Sequence, residues 1–259
     1  ENVGIFDVSH MAVFDFAGSR QVEFLKHLLP NDVNKILGST RALYSPLLND
    51  EGMILDDLIV YHLGDENFRI ISNCGTRDQN NAWFTKVALN FDVAVDFKEE
   101  ASIIALQGPK AKQHLGEMFD IDLEPFHIQT LDDVMIARTG YTGEVGFEII
   151  SDASRGLELW NHFIEKDIKP VGLAARDTLR LEAGFNLYGS DMTAENHPYE
   201  SNLGWTIDMS NDARDFIGKS ALLDLQSDSK KLVGFHTDAR GVLRAGTEVY
   251  FDGGSGIVT

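Results

Sequence analysis

Hydrophobic residues along the chain follow two different spacings, and the two alternate from one end to the other. Runs rich in β-branched and aromatic residues, such as residues 58–61, are typical of strands. Other stretches place apolar residues three or four positions apart, which is typical of amphipathic helices. The predicted strands cover residues 13–16, 54–63, 68–72, 93–97, 102–106, 134–138 and 146–150. The predicted helices cover residues 19–30, 77–89, 109–119, 156–166 and 173–183, with Ser19 as the N-cap of the first and Gly184 closing the last.

Strands joined by short polar turns predict antiparallel pairing. Residues 54–63 and 68–72 flank a polar turn at 64–67, so we expect them to form a hairpin. Residues 231–236 are expected to begin a β-rich tail that has a glycine-rich turn at Gly253 and Gly254. Strands and helices interleave without regular strand–helix–strand units. This order predicts an α+β fold with a small β domain that begins near residue 230.

Composition narrows the possible partners. The 259 residues carry a formal net charge of −19, and 43% of them are hydrophobic, which is enough to bury a substantial core. Nucleic-acid phosphates and anionic membranes repel so acidic a chain, so neither is expected as a partner. Cys74 is the only cysteine, and the eight histidines show no metal-ligand spacing, so no metal site is expected. We expect a reducing compartment, the bacterial cytoplasm or, in a eukaryote, the mitochondrial matrix.

The two ends have the character of internal sequence. The chain begins at Glu1 rather than at methionine, and residues 3–6 already have the composition of a packed element. Residues 256–259 resemble a strand that should continue. We therefore expect the natural protein to extend beyond both ends.

Two adjacent carboxylates, Asp56 and Asp57, lie at the start of a strongly β-favouring run. Adjacent strand residues point to opposite faces, so if Ile59 faces the core then Asp57 faces it too. A carboxylate inside a core costs free energy unless it is paired or used in chemistry. Capping of the strand start is the interpretation that the spacing favours, and a catalytic aspartate is the alternative.

A glycine-rich segment, residues 138–146, carries Glu144 between its last two glycines. Three glycines in seven residues let the backbone bend tightly and approach a ligand. Glu144 could offer two oxygens to a planar donor edge, such as the ring N–H and exocyclic amine of a pterin. A hairpin or bulge with a solvated glutamate is the alternative, and the spacing alone favours it.

Two arginines, Arg176 and Arg180, are four residues apart on the predicted helix 173–183 and therefore share a face. An arginine beside small alanines can orient a carboxylate such as Glu144 or bind an anionic group of a ligand. Alternatively, the face is solvated and Asp177 balances Arg180 three residues away. The residues support the two interpretations equally.

The remaining candidates are weaker. Asp7, Ser9 and His10 are too close in sequence to act as a catalytic triad, and His10 is expected to be a buried hydrogen-bonding residue. Trp205 could stack on an aromatic ligand, although a core tryptophan is commoner.

Six segments, taken together and in order, resemble segments of glycine cleavage T-proteins. They are 6–11 (Phe-Asp-Val-Ser-His-Met), 55–60 (Leu-Asp-Asp-Leu-Ile-Val), 106–109 (Leu-Gln-Gly-Pro), 139–144 (Thr-Gly-Tyr-Thr-Gly-Glu), 175–184 (Ala-Arg-Asp-Thr-Leu-Arg-Leu-Glu-Ala-Gly) and 187–189 (Leu-Tyr-Gly). Each segment is short, but the ordered set extends across nearly the whole chain and is highly specific.

This resemblance implies a folate-binding aminomethyltransferase fold, a cloverleaf of subdomains around a central folate site. Residues 1–213 would form the folate-binding domain from two interleaved subdomains, and residues 230–259 would begin a C-terminal β-barrel domain that is incomplete here. The resemblance also implies a reaction. The aminomethyl-derived one-carbon unit passes from the lipoyl arm of H-protein to tetrahydrofolate, which gives 5,10-methylenetetrahydrofolate and ammonia.

Functional residues follow from the resemblance position by position. Asp57 matches the family's key acidic residue near the folate N10, where it would orient the folate and assist proton movement. Glu144 matches the carboxylate that binds the pterin edge, and Arg176 matches the arginine that helps to fix it. The folate pocket is expected to be lined by Met11, Tyr44, Ile71, Asn73, Tyr141 and Trp205.

The sequence also departs from the family pattern. Typical T-proteins place a further arginine near the C-terminus at the ligand site, and this chain shows no counterpart. Two alternatives use the same fold: a folate-dependent demethylase of a small methylated amine or sulfonium compound, and a non-catalytic folate-binding or iron–sulfur-assembly relative. The match of residues 141–144 and Arg176 argues against the first. The second usually carries a cysteine-bearing motif, whose counterpart here has no cysteine.

Overall fold

The computed structural model describes residues 2–64, 67–225, 230–237, 241 and 243–259. The strands in this part of the chain are β1 (Gly4–Asp7), β2 (Ala12–Ala17), β3 (Leu43–Leu48), β4 (Ile54–Gly64), β5 (Asn67–Ser72), β6 (Ala94–Phe97), β7 (Ala101–Gln107), β8 (Ile128–Leu131), β9 (Val134–Ala137), β10 (Gly146–Asp152), β11 (Lys169–Pro170), β12 (Glu248–Phe251) and β13 (Gly254–Ile257). The α-helices are α1 (Gln21–Leu28), α2 (Arg77–Ala88), α3 (Ala111–Gly116), α4 (Ala153–Glu165), α5 (Leu173–Glu182) and α6 (Lys219–Leu225).

Two largely antiparallel sheets organise these elements, and they confirm the predicted α+β fold. One sheet has five strands in the order β3-β4-β5-β2-β6, and the other has six in the order β11-β1-β7-β10-β9-β8. β4 and β5 pair antiparallel with Ile59 opposite Ile71, as the hairpin prediction requires. Residues 65 and 66 of the predicted turn lie outside the described residues.

The two sheets pack face to face, and helices cover their outer faces. Ile71 and Tyr61 of the five-stranded sheet share a buried cluster with Ile103 and Met135 of the six-stranded sheet. The outer face of the five-stranded sheet packs against α1 and α2 through a cluster rich in phenylalanine. The outer face of the six-stranded sheet packs against α3 and α4. The result is four layers, so β4 is covered on both of its faces.

The edge strand β3 was not predicted, because it contains Pro46. A proline lacks the N–H that a central strand must donate, so the sequence argues against a strand there. In the structure β3 pairs on one side only, with β4. The edge position therefore tolerates the proline, and it brings Tyr44 beside Ile59.

Several predicted boundaries are wrong. α1 begins at Gln21 with Arg20 as its N-cap and no side-chain cap, so Ser19 does not cap it. α4 begins earlier than predicted because the side chain of Asp152 accepts the N–H of Arg155. The predicted β-rich tail does not begin at 231–236, because residues 230–237 form no strand. The tail instead holds the hairpin of β12 and β13, whose turn places Gly253 at φ +100°.

Candidate functional site

Asp57 lies on β4, on the face that turns toward the second sheet. Ile59 shares this face and packs against the cluster between the sheets, as the alternation of strand residues predicts. The carboxylate is partly buried, and the hydroxyl of Tyr44 on the neighbouring strand donates a hydrogen bond of 2.9 Å to its Oδ2. The edge strand thus supplies one of the two side-chain donors that hold Asp57.

Asn73 supplies the other donor, and it binds both aspartates. Its Nδ2 lies 2.8 Å from Oδ1 of Asp57 and 2.7 Å from Oδ1 of Asp56. The two carboxylates leave the strand on opposite faces, but Asn73 follows the end of β5 beside them and reaches both. One amide nitrogen therefore links the two carboxylates.

Asp56 is the more deeply buried of the two, with no exposed surface. Its Oδ2 accepts hydrogen bonds from the hydroxyl of Thr76 at 2.7 Å and from Nδ2 of Asn80 at 2.5 Å. Thr76 is the N-cap residue of α2, and Asn80 lies in its first turn. Asp56 therefore ties the start of α2 to β4. The interpretation that the pair only caps the start of the strand is wrong for Asp56, because the donors that it binds belong to residues 73–80 and not to the start of β4.

The surroundings of Asp57 favour its protonated form. Burial, together with the charge of Asp56, raises the pKa of Asp57 from 3.8 to about 6, although the hydrogen bonds from Tyr44 and Asn73 oppose the shift. Burial also raises the pKa of Asp56, against the hydrogen bonds from Thr76, Asn73 and Asn80. A carboxyl group that titrates near neutral pH can both accept and donate a proton under physiological conditions.

Two stacked aromatic pairs lie near this carboxylate. Tyr44 stacks on Trp205 with ring centroids 5.9 Å apart, and the indole remains 70% exposed, so it is not a core tryptophan. Tyr141 stacks on Phe185 at 5.8 Å, and its hydroxyl donates to the carbonyl oxygen of Asn186. Burial and the charge of Asp57 both raise the pKa of Tyr141. The site therefore has two stacked aromatic pairs near one carboxylate, and the ring of Tyr44 is bonded to it directly.

The glycine-rich segment is shaped by a single buried side chain, Gln107. Its Nε2 donates to the carbonyl oxygen of Thr139, and its Oε1 accepts the hydroxyl of Thr142 at 2.9 Å. A Cβ at Gly140 or at Gly146 would lie 2.1–2.2 Å from atoms of Gln107. The two glycines are therefore needed so that the loop can close around this amide.

Glu144 lies at the tip of that loop and is exposed. The loop rests on the end of α5, where a Cβ at Gly143 would lie 2.9 Å from the Cβ of Ala183. In the described part of the chain Glu144 makes no ion pair with Arg176, so the expected orientation of one by the other is not seen here. The position is compatible both with a solvated glutamate and with a carboxylate that awaits a ligand.

The two arginines of α5 have different surroundings. Arg180 binds Asp177 at 2.8 Å, the pair that one interpretation predicted, but Arg180 is buried, so the solvated position expected for it is wrong. Arg180 also binds Asp191 and the carbonyl of Phe185. Arg176 lies over the ring of Tyr141. Burial lowers the pKa of Arg176, although the charge of Glu148 opposes this shift. Arg180 thus holds the loop 185–191, and Arg176 faces the site.

Of the other residues expected to line the pocket, Met11 contacts Arg176 and Ile71 lies in the core between the sheets. Met11 receives an N–H of Arg176 on its sulfur at 3.9 Å. Ile71 is 7% exposed and belongs to the cluster between the sheets, in the cross-strand row that starts at Tyr44. His10 is exposed, so the expectation of a buried histidine was wrong. Its pKa is lowered by burial of part of the ring and by the charge of Arg176.

Sequence reasoning missed three contributors: Phe185, which backs Tyr141; Tyr188, whose hydroxyl donates to the carbonyl of Ile54; and Glu148, whose carboxylate accepts the hydroxyl of Thr139. Phe185 and Tyr188 follow α5 in a loop without periodicity. Tyr188 belongs to the segment 187–189 that resembles the family, but its spacing gave it no role in the site. Among the described residues, no cluster of histidine, cysteine, aspartate or glutamate could hold a metal ion. In the same part of the chain, no helix is both long and apolar enough to cross a membrane.

Comparison with known proteins places this chain in one family. The model of the GCVT N-terminal domain matches residues 1–211, so the chain belongs to this family. The aminomethyltransferase of Francisella tularensis subsp. tularensis (strain WY96-3418) is 46% identical over 263 residues, which cover 98% of this chain and 73% of the relative. The aminomethyltransferase of Francisella philomiragia is 44% identical over the same shares.

A solved structure agrees with these relatives. The glycine cleavage system aminomethyltransferase T from Bartonella henselae superposes with a TM-score of 0.81 at 36% identity. The match covers 86% of this chain and 63% of that one. The chain thus spans somewhat less than two thirds of the solved relative and about three quarters of the curated ones.

Proposed function

We propose that the protein transfers the aminomethyl-derived one-carbon unit from lipoylated H-protein to tetrahydrofolate, with release of ammonia and formation of 5,10-methylenetetrahydrofolate. The observation that carries the proposal is Asp57, a carboxylate with a pKa of about 6 that Tyr44 and Asn73 hold beside two stacked aromatic pairs. Membership of the aminomethyltransferase family supports the same conclusion.

The residues of the site fit a folate. The indole of Trp205, which stacks on Tyr44, and the ring of Phe185, which stacks on Tyr141, are both exposed and offer flat apolar surfaces to an aromatic ring system. Glu144 extends from the loop without a competing ion pair in the described chain, so both of its oxygens can accept from the N–H edge of a pterin. Arg176 presents a cation beside Tyr141, where it suits a negatively charged group.

Tetrahydrofolate, when bound, supplies the nucleophilic nitrogen, and the protein supplies orientation and proton handling. Tyr44 and Asn73 hold the two oxygens of Asp57 in place, so the carboxylate needs no reorganisation during the reaction. Near neutral pH most of Asp57 is ionised, because its pKa lies near 6. An ionised Asp57 stabilises positive charge on the one-carbon unit and can accept a proton.

The partner and the location follow from the same proposal. Lipoylated H-protein delivers the one-carbon unit, and the protein acts in the cytoplasm of a bacterium, as its bacterial relatives suggest. We assign residues 1–213 to the folate-binding domain. Residues 230–259 then begin the C-terminal β-barrel domain.

The test is product formation by the full-length protein. Aminomethylated H-protein and tetrahydrofolate are supplied, and ammonia and methylenetetrahydrofolate are measured for the wild type, Asp57→Asn and Asp120→Asn. Asp120 is an exposed aspartate that serves as the matched control. Product from the wild type and the control, with loss in Asp57→Asn, supports the proposal. Folate binding without any product in the wild type would contradict it.

A further inference from the structure

The buried carboxylate of Asp56 accepts an unusually large number of hydrogen bonds. Four groups donate to its two oxygens: Nδ2 and the backbone N–H of Asn73, the hydroxyl of Thr76 and Nδ2 of Asn80. Three of these four are N–H groups, which can only donate. A carboxylate that accepts so many donors is held in a single orientation, and its ionised form is the one that satisfies them.

We propose that Asp56 is a positioning residue for Asp57 and acts through Asn73, whose amide it fixes against the candidate catalytic carboxylate. The inference rests on the proposed role of Asp57 and extends it to a residue that does not reach the aromatic residues of the candidate site. Asp56 has no exposed surface and lies on the opposite face of β4.

The geometry makes Asn73 the link. Its Nδ2 has two hydrogens, and the structure directs that nitrogen at one oxygen of each carboxylate, at 2.7 and 2.8 Å. The backbone N–H of Asn73 donates to Asp56 as well, at 3.3 Å. The backbone and the side chain of Asn73 are thus both bound to Asp56, which helps to determine where the amide meets Asp57.

The charge of Asp56 also acts on Asp57 directly, because it raises the pKa of Asp57. The titratable groups that face Asp57 are Asp56 on its own strand, Tyr44 on β3, Tyr141 on the glycine-rich loop and Tyr188 after α5. The pKa of each tyrosine is raised, so these hydroxyls are neutral at physiological pH. Arg176 lies over the ring of Tyr141. Asp56 is therefore the ionised neighbour that opposes ionisation of Asp57 among these groups.

Two substitutions should shift the pKa of Asp57 in opposite directions. Asp56→Asn removes a negative charge, so Asp57 should ionise at a lower pH than in the wild type. Asn73→Ala removes a hydrogen bond that favours the ionised form, so Asp57 should ionise at a higher pH. The opposite signs separate the loss of a charge from the loss of a hydrogen bond, and the turnover of Asp56→Asn tests the alignment.

Asn80→Ala provides the matched control. Asn80 binds Asp56, Ser72 and Thr76 but contacts neither Asn73 nor Asp57 through a hydrogen bond in the described chain. It should lower the thermal unfolding temperature, because a buried hydrogen-bonding group is lost. The pKa of Asp57 in this variant should equal that in the wild type.

The experiment is a carboxyl-carbon NMR titration of the full-length protein without substrates, with the Asp57 resonance assigned from Asp57→Asn. The proposal is supported if the pKa of Asp57 falls in Asp56→Asn, rises in Asn73→Ala and is unchanged in Asn80→Ala. Equal shifts of one sign in all three variants, or no shift in Asn73→Ala, would overturn it. If Asp56→Asn does not fold, the contrast between Asn73→Ala and Asn80→Ala decides.

Turnover gives a second readout. Asp56→Asn should lower kcat by about 10- to 100-fold through loss of alignment, with KM for tetrahydrofolate nearly unchanged. An unchanged kcat in a folded variant would contradict the positioning role. Because the titration requires no turnover, a protein that shows the shifts but forms no product would retain the positioning role and lose the proposed transferase function.

Discussion

Arg176 places the central carbon of its guanidinium 4.5 Å from the centre of the Tyr141 ring. The same ring stacks on Phe185, and the hydroxyl of Tyr141 donates a hydrogen bond to the carbonyl oxygen of Asn186. Arg180, one turn further along α5, binds Asp191, which belongs to the loop 185–191 that also carries Phe185. Two arginines of one helix face thus serve a single aromatic surface, one by holding its support and the other by lying over it.

The two arginines should respond differently to truncation. Arg180→Ala leaves Asp191 buried without its cation, so we expect unfolding free energy to fall by about 3–5 kcal/mol. Arg176→Ala removes a cation–aromatic contact and should cost about 0.5–2 kcal/mol. Urea denaturation of both variants measures the difference. Equal losses would show that the contrast between the two positions is wrong.

Glu144 should matter for ligand binding and not for folding. It is exposed, so Glu144→Gln should change the unfolding free energy by less than about 0.5 kcal/mol. Folate binding should weaken by about 1–3 kcal/mol, the cost of a poorly paired buried donor edge. Calorimetric titration with tetrahydrofolate measures the affinity, and Glu165→Gln, another exposed glutamate, is the control. An affinity equal to that of the control would remove Glu144 from the site.

The pH dependence of turnover should show an acidic limb near pH 6. Asp57 is ionised above its pKa of about 6 and neutral below it, and the proposed role requires the ionised form. The rate should therefore fall as the pH falls through 6. Asp57→Asn should lower the rate by about 10²- to 10⁴-fold and abolish this limb. A profile with the same limb in the variant would assign it to another group.

The same carboxylate should cost the fold stability at neutral pH. Because the folded-state pKa of Asp57 is raised from 3.8 to about 6, the native state holds a proton between these values that the unfolded state releases. The stability contribution of this group therefore falls as the pH rises from about 4 to 6 and stays low above it. Asp57→Asn should raise the unfolding free energy by about 1–2 kcal/mol at pH 7.5, with little gain at pH 4. Denaturation at the two pH values tests the sign, and a variant less stable than the wild type at pH 7.5 would contradict it.

The glycine-rich loop should not accept a side chain at Gly140. A Cβ there would lie 2.1 Å from Gln107, a buried residue that must shift to make room. We expect Gly140→Ala to lower the unfolding free energy by about 1–3 kcal/mol. Gly116→Ala, where no atom lies within 4 Å of the new Cβ, should be neutral or stabilising by up to about 1 kcal/mol. Thermal unfolding of the pair checks the prediction, and similar melting temperatures would refute it.

Elements with strong periodicity were predictable from the sequence. β4, β5, α2 and α5 lie within a residue or two of their predicted positions, because each combines a marked apolar pattern with clear breakers at its ends. β3 could not be predicted, because its proline is acceptable only at a sheet edge. Which strand becomes an edge is decided by the pairing of the whole sheet.

The candidate site divides in the same way. The sequence by itself determined the residue types of the site, namely the adjacent aspartates, the glycines around Glu144 and the two arginines of α5. Their different surroundings were decided by the tertiary structure. Asp56 and Asp57 have the same chemistry, and Arg176 and Arg180 share one helical face. Each pair separates because one member is enclosed by buried partners while the other lies beside the aromatic residues of the site. Local spacing carries no information about such long-range contacts.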